Sequence, residues 1–131
     1  MAGIVLLLQS HELFSPSPVV IAGQLLAFAL ITWARISFGI RSFHLTATPT
    51  AGGLVTTGPY RFIRHPIYAS ICLFIWSSAL GHPSLRSAAL AILVCAGVAL
   101  RIVTEENLVA MEYPEYRDYA KRTKRLIPFV F

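Results

Sequence analysis

Acidic side chains are scarce in this chain: six among 131 residues, with Asp118 the only aspartate. A Ser-His-Asp arrangement has little to draw on, and His11, His44 and His82 lack the spacing of zinc ligands, so no metal site is expected. Cysteine is nearly absent as well. Cys72 and Cys95 each fall inside an apolar run, where spacing favours neither metal nor disulfide chemistry, and both read as small packing residues. No G-x-G-x-x-G and no P-loop occurs, so a Rossmann-type nucleotide fold is not indicated. No Lys or Arg precedes Arg35, and residues 1–8 have neither a basic n-region nor a credible cleavage site, which argues against a removable signal peptide. The basic-aromatic motifs of nucleic-acid modules are missing too, and no repeat or low-complexity segment is evident.

What the chain does have is apolar surface: 56% hydrophobic residues against 13% charged ones. That balance is too apolar for an ordinary soluble domain of this length and points to one membrane domain spanning residues 1–131. The formal charge of +5 is concentrated after residue 34, a distribution suited to anionic lipid headgroups rather than nucleic acid. Residues 2–8 are apolar but too short to cross a bilayer. The Ser15-Pro16-Ser17-Pro18 breaker then leads into residues 19–36, a run of nearly spanning length. Residues 46–58, rich in Thr, Pro and Gly, read as a loop. Beyond it, residues 67–80 and 85–102 are apolar arms around a Gly81-His82-Pro83-Ser84 turn, a helical hairpin across the bilayer. The charged tail reads as an amphipathic or solvated helix over residues 112–125, with Tyr113, Tyr116 and Tyr119 as an interfacial aromatic belt. The expected fold is therefore all-α: an integral membrane helical bundle of about three spanning helices, a short N-terminal apolar segment and a cytoplasmic C-terminal helix. Lys and Arg near the span ends put the loop before His65 and the tail in the cytoplasm, and the N-terminus outside.

Within that frame the polar residues converge. Pro66 fits the first turn of a helix and fits poorly inside one, so a helix starts near it, with His65 at the N-cap and Tyr68 in the first turn. His65 lies about 17 residues before the hairpin turn and Arg101 about 19 after it, each about 26–29 Å of helix away. They return to one depth. Glu105 stands one turn beyond Arg101 on the same face, with Glu106 about 100° round. Arg64, His65, Tyr68, Arg101, Glu105 and Glu106 thus form a candidate site at the cytoplasmic boundary, where ionisable groups are functional by default. Cations with carboxylates suit a zwitterionic ligand.

Gly58-Pro59-Tyr60, Arg64-His65-Pro66-Ile67-Tyr68 and, a hairpin later, Arg101 with Glu105-Glu106-Asn107-Leu108 resemble the signature of the isoprenylcysteine carboxyl methyltransferase family, phospholipid methyltransferase-like integral membrane enzymes. Pro114-Glu115-Tyr116-Arg117-Asp118-Tyr119 and Leu126-Ile127-Pro128 are similar to its tail. The resemblance covers about residues 41–128, the cofactor-binding core, and leaves residues 1–40 as an N-terminal helical part. It implies S-adenosylmethionine as cofactor, held by Gly58, Pro59, Tyr60, Arg64, His65, Tyr68, Glu105 and Glu106, with Arg101 at the reaction centre. It also implies methyl transfer to a lipophilic or lipid-linked acceptor. Carboxyl O-methylation is favoured, since an ionised oxygen needs positioning more than a base. With an amine acceptor, phospholipid or other, a carboxylate would take a proton.

Other readings stay open. His65 alone is a helix cap, Arg61 and Arg64 are side chains snorkelling to lipid phosphates, and Arg101 with Glu105 is an i,i+4 ion pair. Sterol-type reductases share a related C-terminal architecture and use NADPH, and a non-enzymatic membrane scaffold would use the charged cluster only for packing.

Overall fold

The computed structural model describes residues 16–38, 56–128 and 131. The apolar segment at residues 2–8, His11, Arg41, His44 and the loop at 46–55 lie outside the described residues. The described chain is helical, without strands, and its one β-like pairing is an isolated parallel bridge between Ile63 and Lys124.

Pro18 opens α1 (Pro18–Phe38), whose 21 residues contain one charge, Arg35, in the last turn. Its buried positions, Val20, Ala27 and Ala34, recur every seven residues, so one narrow stripe faces the protein. Val19, Leu25, Leu26, Phe28, Trp33 and Ile36 point outward and stay exposed. So much bare apolar surface has no stable place in water and fits lipid. The stripe meets α2 (Pro66–Gly81) through small residues. Gly23 lies so close to Ser77 that a Cβ at position 23 would collide with its hydroxyl, and Gln24 Nε2 donates to Ser78 Oγ at 3.1 Å. Small residues that let backbones approach, joined by a side-chain hydrogen bond, are how helices adhere where the hydrophobic effect is weak.

α2 starts at Pro66 with His65 as its N-cap residue, as the proline predicts, although the imidazole caps no backbone N–H. Ser84 then opens α3 (Leu85–Glu112) with a reciprocal capping box: Ser84 Oγ accepts from Ser87 N at 3.0 Å, and Ser87 Oγ accepts from Ser84 N at 3.1 Å. The hairpin closes over Ile75, Ala79, Leu90 and Ala91. Further along it Cys72 and Cys95 are free thiols whose sulfurs face each other at 3.4 Å.

Among the described residues two helices, α1 and α3, are long and apolar enough to cross a bilayer, and α2, the third expected span, is shorter. The 16 residues of α2 rise about 24 Å, short of the ~30 Å hydrocarbon core. Pro66 and the Gly81-His82-Pro83 turn stop it at both ends. α3 instead runs on past its uncharged stretch, residues 87–100, because nothing before Pro114 breaks it.

The tail differs from expectation. α4 (Tyr116–Arg122) is only 7 residues long, and Tyr116 and Tyr119 are 7% and 4% exposed. They are not an interfacial belt. Tyr119 donates its hydroxyl to the Tyr60 carbonyl at 2.6 Å, so the tyrosines fasten the tail to the turn before α2.

Candidate active site

The polar ends of the hairpin do meet. Tyr68, in the first turn of α2, donates a short hydrogen bond to Glu105 Oε1, and Arg101 Nε donates to the Tyr68 hydroxyl at 2.5 Å and to Glu105 Oε1 at 3.3 Å. The i,i+4 pair expected from sequence is present, bridged by a phenol from the other arm. His65 spans the two carboxylates, with Nε2 at 3.0 Å from Glu106 Oε1 and Nδ1 at 4.0 Å from Glu105 Oε2.

Glu106 is held from several sides. Arg64 Nε donates to its Oε1 at 2.9 Å and Arg125 Nε to its Oε2 at 3.2 Å, besides His65. Enclosure disfavours a lone carboxylate, and the donors from His65 and Arg64 offset that cost. Tyr116 borders the same group: its phenol is pushed up by burial first and then by the Glu106 carboxylate.

Arg64 does not snorkel. Its side chain is 10% exposed, and Nη1 donates to the carbonyls of Ala120 at 2.8 Å and Thr123 at 2.7 Å while Nε holds Glu106. The backbone repeats this clamp, with Arg64 N donating to Lys124 O at 2.7 Å, His65 N to Arg125 O at 3.0 Å, and Lys124 N to Phe62 O at 3.1 Å. Arg61 is exposed.

Gly58, Pro59 and Tyr60 form a 3₁₀ turn against the end of α1. Gly58 has φ +60°, and a Cβ there would strike the Ser37 side chain, so the position needs glycine twice over. Pro59 is fully buried, and Tyr60 packs with Ala34 and Phe38, its ring centroid 5.5 Å from that of Phe38. Burial raises the Tyr60 phenol's pKa, with Tyr119 adding to the rise and Arg35 opposing it; Glu105 and Tyr68 also act on it, which sets Tyr60 at the border of the site.

Exposure divides the cluster. His65 and Glu106 are 9% and 14% exposed, whereas Glu105 and Arg101 are 25% and 36% exposed. Glu106 is thereby the inner buttress and Tyr68, Arg101 and Glu105 the accessible rim. Sequence reasoning missed Arg125 and Tyr116 as partners of Glu106; the recurrence of Tyr at 113, 116 and 119, every third residue, marks one side of the tail without telling whether lipid or protein covers it. Among the described residues no group of three or more His, Cys, Asp or Glu is placed to hold a metal ion. The rim's donor set, a guanidinium and a phenol beside a carboxylate, has the chemistry to bind a group carrying both charges.

The phospholipid methyltransferase family matches residues 17–116, from α1 to the start of α4. Over 79 residues the chain is 39% identical to the nickel-cobalt-cadmium resistance protein NccN of Alcaligenes xylosoxydans xylosoxydans, covering 57% of this chain and 36% of that protein. It is 36% identical over 78 residues to the cobalt-zinc-cadmium resistance protein CzcN of Cupriavidus metallidurans, covering 57% and 35%. Methanethiol S-methyltransferase 1 of Bradyrhizobium diazoefficiens is 36% identical over 73 residues, covering 53% of this chain and 24% of its own length. The chain thus spans about a quarter to a third of the relatives it matches.

Proposed function

This chain belongs to the phospholipid methyltransferase family, and on that premise we propose that it transfers a methyl group from S-adenosylmethionine to a lipophilic acceptor at the cytoplasmic boundary of a membrane. The observation that supports this most is the meeting of Tyr68, Arg101 and Glu105 on the accessible side of a buried ion-pair hub. When bound, the cofactor supplies an electrophilic methyl on a sulfonium. Glu105 and His65 would hold its ammonium and ribose hydroxyls, while Arg101 and Tyr68 face the acceptor. Glu106, Arg64 and the Gly58-Pro59-Tyr60 turn would act by holding those groups in place.

For a carboxylate acceptor, Arg101 orients an oxygen that is already ionised, so positioning dominates and no base is required. A thiol acceptor is the second reading, favoured by the relative named as a methanethiol S-methyltransferase. There the proton has a route from the acceptor to the Tyr68–Glu105 couple.

Purified protein incubated with membrane lipid extract and methyl-labelled S-adenosylmethionine should transfer label to an organic-soluble product. Carboxylic, thiol and amine acceptors supplied separately then distinguish the readings. Absence of S-adenosylhomocysteine binding across several detergents and lipids would sink the proposal, as would competition by NADPH in place of S-adenosylmethionine.

A further inference from the structure

A cavity of about 220 Å³ is lined by Arg64, Ala120, Thr123, Lys124, Arg125 and Phe131. Three of its six lining residues are cations. The carboxylate beside them, Glu106, takes one hydrogen bond from Nε of Arg64 and one from Nε of Arg125. Other donors remain. Among the described residues nothing accepts from Arg64 Nη2, from either terminal nitrogen of Arg125, or from Lys124 Nζ.

Neighbouring groups hold the geometry. Arg64 is tied through Nη1 to two tail carbonyls, and the Arg125 guanidinium lies 5.7 Å from the centroid of the Phe131 ring. Lys124 is pinned by its backbone on both sides, which presents its side chain at the cavity without using its amine.

We propose that this cavity is a binding site for a phosphoryl group, presented by an anionic lipid headgroup or by a free phosphate. Forked guanidiniums and an ammionium-type point charge around one opening are the donor set that phosphate oxygens match. A neutral or cationic group would find no acceptor among those free nitrogens. Five of the lining residues, Ala120, Thr123, Lys124, Arg125 and Phe131, fall beyond the stretch matched by the family, so the phosphoryl reading does not depend on the methyl-transfer one.

The test uses the full chain in neutral detergent. Inorganic phosphate is titrated in one arm, short-chain phosphatidylglycerol in a second, and short-chain phosphatidylcholine in a third as the zwitterionic comparison. Saturable binding is expected in the first or second arm, weakening as salt rises. Phosphate binding that phosphatidylglycerol does not surpass assigns a free phosphate, and the reverse order assigns a lipid headgroup. Lys124→Gln should weaken that binding about tenfold, since the amine contributes a charge-assisted bond to the ligand and none to the fold. Lys121→Gln should leave it unchanged, because that amine pairs with Asp118 at 3.3 Å and does not line the cavity. Equal helicity and melting temperature verify that both variants fold. Lack of saturable binding by either probe, unchanged affinity in Lys124→Gln, or equal weakening in Lys121→Gln would overturn the proposal.

Discussion

Adjacent glutamates with the same side chain do different work here. Glu106 is 14% exposed among Arg64, His65 and Arg125, while Glu105 shares its Oε1 with Tyr68 and Arg101 at the accessible rim. Glu105→Gln should therefore keep the fold and lower cofactor affinity about tenfold or more, read by S-adenosylhomocysteine binding beside an unchanged melting temperature. Glu106→Gln should show the opposite balance. Removing its charge leaves the enclosed Arg64 guanidinium short of a partner and the more exposed Arg125 without its ion pair, a loss of about 2–3 kcal/mol measurable by thermal unfolding in detergent.

At the level of elements, the segment before α2 is held by what lies far away in sequence. Gly58 presses on α1, and Tyr60 receives a hydrogen bond from Tyr119, 59 residues later. Gly58→Ala should cost about 1–3 kcal/mol, because it combines a positive φ with a collision against Ser37. Tyr119→Phe should cost about 1–2 kcal/mol by leaving a buried carbonyl without its donor, and loosened tail packing should appear as faster proteolysis after α3. Proteolysis of Tyr119→Phe at the wild-type rate would show that the tail is held some other way. The start of α2, the hairpin turn and the convergence of its ends were legible beforehand, because proline, glycine and helical rise act locally. The buried tyrosines were not, since a Tyr every third residue at a membrane edge has the same pattern whether it faces lipid or protein.

For the molecule as a whole, the register of the hairpin sets the site. If Cys72 and Cys95 face each other in the bilayer as they do here, copper-phenanthroline should couple them, the two thiols losing two protons and two electrons to the oxidant. Mass spectrometry would read a loss of about 2 Da, absent from Cys72→Ser. Failure to couple in a membrane-permeable oxidant would mean that α2 and α3 are set differently, and the meeting of Tyr68 with Arg101 would fall with it.

The sequence by itself determined that the chain is apolar enough for lipid, where its helices begin and turn, and which ionisable residues come to one depth. Those properties follow from composition, from the fixed φ of proline and from the rise of a helix, all of which act over a few residues. Only the tertiary structure decided that Glu106 is enclosed and Glu105 accessible, that Arg64 clamps the tail, and that Arg125 completes the hub. Those outcomes depend on how α2 and α3 are rotated against each other and on a tail that returns from about 40–60 residues away, as the 42- and 59-residue separations of the Arg64 contacts with Glu106 and Thr123 attest. Local periodicity carries no information about that return.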